Sequence, residues 1–131
     1  MKRINVEEKA VEFEKHFKIA SISRCDWLEI YDDKLVFIEE TVYIDTPDYI
    51  KETRSIVKKM AGSFAIAVWL AERENDPEIL SKRRFFVVEV TLTEDTKAAR
   101  ARFARVLRAM LNYMEKHKNG FYNEVSFTPS R

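Results

Sequence analysis

Asp26, Glu39, Glu40 and Thr41 are the residues whose types and spacing could do chemistry. They lie in the run Cys25-Asp26-Trp27-Leu28-Glu29-Ile30-Tyr31-Asp32-Asp33-Lys34-Leu35-Val36-Phe37-Ile38-Glu39-Glu40-Thr41. Asp26 opens one apolar segment, and the two glutamates sit deep in the next. An unpaired carboxylate is costly to bury, so it takes a partner, a metal ion or a raised pKa. Two carboxylates on neighbouring strands suggest a two-carboxylate metal site. A structural alternative stands beside this one. Asp26 could close a strand or pair with Arg24. Glu39 and Glu40 alternate across their strand, so one of them faces away from the other.

The elements that must position these residues read as follows. Val6 to Phe17 predicts a first helix, with Val6, Ala10, Phe13 and Phe17 at helical spacing. Lys18 to Ser23 reads as a weak strand or a lead-in. Asp26 to Tyr31 and Lys34 to Ile44 predict a hairpin turning at Asp32-Asp33. Leu35, Phe37, Glu39, Thr41 and Tyr43 share one face of the second strand. Val36, Ile38, Glu40, Val42 and Ile44 share the other. Asp45-Thr46-Pro47-Asp48 is a helix start. The helix that follows either stops at Gly62-Ser63, leaving Phe64 to Leu70 as a strand, or runs on to Glu74 before Asn75-Asp76-Pro77. The alanines and the Leu70-Ala71-Glu72-Arg73-Glu74 segment favour continuation. Arg84 to Leu92 predicts a strand rich in β-formers. Thr93 to Lys118 predicts a long helix, capped by Thr93 or Thr96 and ended by Asn119-Gly120. Phe121 to Thr128 predicts a last strand.

Composition bounds the rest. A chain of 131 residues predicts one domain spanning 1–131, long enough to bury a core without staples. Hydrophobic residues at 46% and charged residues at 34% describe a folded rather than a disordered chain. The formal net charge of +1 gives no global field for nucleic acid, so any such surface must be local. The one cysteine excludes an internal disulfide and a multi-cysteine zinc site, and fits a cytoplasmic location. No apolar stretch is long enough for a membrane span, so no membrane partner is expected. Few glycines and prolines with many Glu, Lys and Arg resemble a thermophile's composition.

With the long-helix reading, the order is helix, two or three strands, helix, strand, helix, strand. That order and the hairpin acids resemble the PD-(D/E)XK nuclease-like superfamily. The resemblance implies an α/β (mixed α+β) restriction-endonuclease-like three-layer core, a central mixed sheet flanked by helices. In that family an Asp begins one strand, and an acid, any residue and a lysine follow in the next. Asp26 matches the first position and Glu39 the second, while Thr41 stands where the lysine belongs. The resemblance implies Asp26, Glu39, Thr41 and a helix lysine, Lys58 or Lys51, as the catalytic set. It implies Asp26, Glu39 and Glu12 (or Glu14) as ligands of Mg²⁺ or Mn²⁺. The function implied is a metal-dependent phosphodiesterase on DNA or RNA, or a degenerate descendant that binds nucleic acid without cutting.

Arg102, Arg105, Arg108 and Lys116, with Lys97, form a basic stripe on the last helix that could track phosphates. A solvated helix face explains the same residues. If Phe64 to Leu70 is a strand, residues from Lys34 onward take a ferredoxin-like βαββαβ order behind an N-terminal extension. That alternative implies a regulatory, protein-binding or dimerisation module without catalysis. A partner could also dock on a sheet edge or on the C-terminal aromatics Phe121, Tyr122 and Phe127.

Overall fold

The computed structural model describes residues 1–43, 49–94 and 96–130. Strands β1 (Lys2–Asn5), β2 (Trp27–Ile30), β3 (Lys34–Tyr43), β4 (Arg83–Leu92) and β5 (Glu124–Pro129) form one sheet in the order β1-β2-β3-β4-β5. β1, β2 and β3 are antiparallel neighbours; β3, β4 and β5 run parallel. Helices α1 (Val6–Phe17), α2 (Tyr49–Arg73) and α3 (Lys97–His117) complete the mixed α+β architecture, with a short 3-10 turn at Pro77–Ser81. Among the described residues, no helix is long and apolar enough to cross a membrane.

Helix α2 settles the main ambiguity of the sequence. Residues 64–71 are helical, so the ferredoxin-like alternative falls. Gly62 does not stop the helix; it lets the chain pass. A Cβ at Gly62 would lie 1.7 Å from the backbone oxygen of Ser23, so only glycine allows this contact. Next to it, Ser63 Oγ accepts a 2.7 Å hydrogen bond from Cys25 N. Together they dock the segment leading into β2 against the middle of α2.

Of the two readings of Lys18 to Ser23, the lead-in holds and the strand does not. Lys18 adopts a left-handed conformation that closes α1, and Ile22 N is bonded by the Glu14 carboxylate at 2.8 Å. Lys2–Asn5 is a strand, although its four residues are too few to show a period. Thr96 rather than Thr93 caps α3, accepting from Ala99 N at 3.1 Å. The cap proposed at Asp45-Thr46-Pro47-Asp48 lies outside the described residues.

Strand register sorts the sheet into two unlike faces. Leu28, Leu35, Phe37, Phe86, Val88 and Val125 join one core with Ala10, Phe13, Met60, Ile66 and Met110 from the helices. Parallel β3-α2-β4 and β4-α3-β5 crossovers of the usual right hand carry both helices to the same side of the sheet. The helices therefore flank the sheet from the Phe37–Phe86 face, with α2 between α1 and α3. Phe13 meets Trp69 edge-on at 5.5 Å, and Tyr43 meets Phe103 at 4.8 Å. Val36, Ile38, Phe85 and Val87 point the other way and belong to no part of that core.

The C-terminal aromatics are not a free docking strand. Tyr122 is 2% exposed and donates to Met60 O at 2.6 Å. Phe121 stacks on Phe64 at 4.7 Å, and Phe127 lies against Phe103.

Candidate metal and phosphodiester site

Asp26 is fixed by its backbone as much as by its side chain. Its N–H donates to Ile38 O at 3.0 Å, and its carbonyl accepts from Val6 N at 3.1 Å. Its Oδ2 accepts from Glu40 N at 2.7 Å, filling the ladder position at which β2 begins. Asp26 thus ties together the first turn of α1, β2 and β3. Arg24 does not pair with it; that guanidinium binds Glu7 at 2.5 Å and Glu14 at 3.3 Å.

Residue Asp26 lies one position beyond the Trp27–Ile38 pair, opposite Glu39. The Asp26 carboxyl lies near enough to Glu39 to raise its pKa. Glu39 is 2% exposed. Burial first, and then the Asp26 carboxyl, pushes its pKa up to about 7. The ammonium of Lys59 opposes that rise through a short ion pair with Glu39 Oε2. Glu40 takes the other side of β3, where it is exposed and accepts from Trp27 Nε1 at 2.7 Å.

Lys59 is the residue that sequence reasoning missed by one place. Lys58 is exposed, about 100° further round α2. A signal existed: Lys59 is three residues after Ile56 and four before Ser63, both buried against the sheet. Lys51 is also exposed. Thr41 lies two residues beyond Glu39 on the same face and is half-buried. With Glu39, Lys59, Glu52 and Ser55 it lines a cavity of about 150 Å³ between α2 and α3. The cavity lies over the C-terminal halves of parallel β3 and β4, the end of such sheets where ligands bind.

The remaining sequence candidates lie elsewhere. Glu12 does not join the acidic pair. It is exposed on α1, where it accepts from Arg73 at 3.1 Å and lies 3.4 Å from Lys9. The Arg73 bond, first among its neighbours, lowers its pKa. Glu14 is occupied by Ile22 N and Arg24. On α3, Arg105, Arg108 and Lys116 are exposed and Arg102 is half-buried. At helical spacing Arg105 and Arg108 lie opposite Met110 and Met114, so their stripe faces away from the sheet and the acids. Cys25 is 1% exposed, and burial pushes its thiol up to about 12, which makes it a packing residue. His117 stacks on Tyr113 at 4.2 Å, and His16 lies against Trp69.

Among the described residues, no group of three or more His, Cys, Asp or Glu converges. Of the expected ligands, Asp26 and Glu39 are the two that lie close together. That set fits Mg²⁺ or Mn²⁺, which commonly take one or two protein carboxylates and complete their shell with water and phosphate oxygens. It does not fit zinc, which draws mostly on nitrogen and sulfur in closed sites. Comparison with family models, curated proteins and solved structures returns no match.

Proposed function

We propose that this chain is a nuclease-like domain that hydrolyses phosphodiester bonds of DNA or RNA with a divalent cation held by Asp26 and Glu39. The observation that carries this reading is Glu39 of β3 set between the Asp26 carboxyl, just before β2, and the Lys59 ammonium of α2, with Glu39 and Lys59 lining a cavity. Burial first, and then the neighbouring Asp26 carboxyl, pushes the Glu39 pKa up to about 7, the kind of perturbed group that marks functional sites. Bound Mg²⁺ or Mn²⁺ would polarise the scissile phosphate and acidify a water. Lys59 supplies the charge absent at Thr41. In the resting protein it neutralises Glu39. With Asp26 and Glu39 holding a cation, the Lys59 ammonium would be free to meet a phosphate oxygen in the same cavity. Thr41 and Ser55 contribute hydroxyls to the lining, which can orient a water or a phosphate.

The test is metal-dependent cleavage of DNA and RNA by the full chain and two lysine variants. Lys59→Met should abolish cleavage and leave Mn²⁺ binding intact at alkaline pH. Lys58→Met should leave both unchanged. Equal losses from the two variants would remove Lys59 from the site.

A second reading rests on one observation of its own. Asp26 Oδ2 is already bonded to Glu40 N, and Glu39 to Lys59, so the acids are satisfied without a cation. This describes a descendant that keeps the pair for structure. It predicts no Mn²⁺ binding and no cleavage.

A further inference from the structure

The face of the sheet without helices carries a pattern that nothing above uses. Register places Lys34 beside Arg83, Val36 beside Phe85, Ile38 beside Val87 and Glu40 beside Glu89, all on this face. Reading along β3 and β4 together, a basic row is followed by two apolar rows and then an acidic row. On β1 and β2 the face is closed on itself: Arg3 lies 4.0 Å over the Trp27 ring and 3.6 Å from Glu29. On β3 and β4, Val36, Phe85 and Val87 stay partly exposed.

We infer that this face is the interface of a two-fold dimer of the chain. A two-fold axis in the plane of the interface and perpendicular to the strands lays β3 over its partner β3, and β4 over its partner β4, in reversed direction. Each row then meets its complement. Lys34 falls over the second copy's Glu40, and Arg83 over its Glu89. Phe85 meets Val87, and Val36 lies over Ile38, which is already buried within its own chain. The pattern is self-complementary, as an interface between two identical surfaces requires. A parallel arrangement would put base on base and acid on acid, which like-charge repulsion forbids.

Three further observations favour a second copy as the occupant. Arg83 and Lys34 are held as cation–ring contacts, at 5.2 Å over Phe85 and 5.1 Å over Tyr31, and form no ion pair among the described residues. Glu89 is half-buried with no ion pair among the described residues. A groove of about 490 Å³ opens at the acidic end, lined by Glu40 and Glu89, with the Arg3–Glu29 pair at its side, and can receive the partner's basic side chains. Sheets that pack face to face keep their strands within about 30° of alignment, which preserves the row-on-row match.

The experiment is sedimentation equilibrium of the full chain, with folding followed by circular dichroism. The wild type should sediment at twice its 15.5 kDa mass and dissociate more readily as salt rises. Arg83→Glu should shift it to monomer by setting acid against Glu89. Glu89→Arg alone should do the same by setting base against Arg83. Combining Arg83→Glu with Glu89→Arg should restore the dimer, and a merely structural role would not produce that rescue. A monomeric wild type, a dimer indifferent to Arg83→Glu, or failure of the double variant to reassociate would each overturn the proposal.

Discussion

Glu39 lies almost out of solvent between an acid and a base, and its charge state sets how the pair behaves. Its folded pKa of about 7 is raised from the ordinary 4.5, so the folded chain holds a proton that the unfolded chain releases. The stability it contributes is fully present below about 4.5 and is lost as pH rises through about 7. Glu39→Gln should therefore flatten the pH dependence of thermal stability between those values relative to the wild type. Parallel melts at the two ends of the window check this, and an unchanged slope would move the titration elsewhere. Cation binding has the opposite sense, because the ligand must be the carboxylate. Mn²⁺ affinity should rise as pH passes upward through about 7. The acids themselves were legible in the sequence, since carboxylates in an apolar strand demand a reason. The lysine was not. Lys58 and Lys59 have the same composition and neighbours, and only the helical phase that buries Ile56 and Ser63 separates them. Glu12 rested on the resemblance alone; in the structure it is exposed on α1 and bonded to Arg73.

At the scale of elements, α2 is the part on which the site depends. Its 25 residues carry Lys59 to Glu39 and Ser63 to Cys25, so the helix holds β3 and the segment leading into β2. Gly62→Ala should destabilise the fold by about 1–3 kcal/mol, because the added carbon overlaps the Ser23 backbone. Ser63→Ala should cost about 1–3 kcal/mol by leaving a buried N–H unpaired. Urea unfolding measures both, and a neutral Gly62→Ala would contradict the close docking. In the sequence Gly62-Ser63 read equally as a helix stop, since a glycine for close approach and a glycine for a turn look alike along one chain. The hairpin, the first helix and the last helix were legible because their periods are long and regular. The short strand β1 was not, because only pairing with β2 defines it.

Across the whole molecule, the two faces of the sheet separate two roles. The helix-bearing face holds the core and the Asp26–Glu39–Lys59 cluster; the other face carries the self-complementary rows. The cluster is on the side away from the inferred dimer interface. Arg83→Glu should therefore leave Mn²⁺ affinity unchanged within about twofold, as expected for distant sites that share no partners. Calorimetry on the monomeric variant checks this, and a large loss would show that the faces are coupled. The element order that carries this arrangement was readable in the sequence, with the exception of β1. The one-sided placement of the helices was not, because it follows from the strand order and crossover hand together.

The measurement that bears most directly on the central claim is Mn²⁺ titration calorimetry of the wild type beside Asp26→Ala and Glu39→Gln, above the pH at which Glu39 ionises. The account predicts one site in the wild type and loss of binding in both variants, with circular dichroism unchanged. Absence of binding in the wild type, or binding that survives both substitutions, would contradict it.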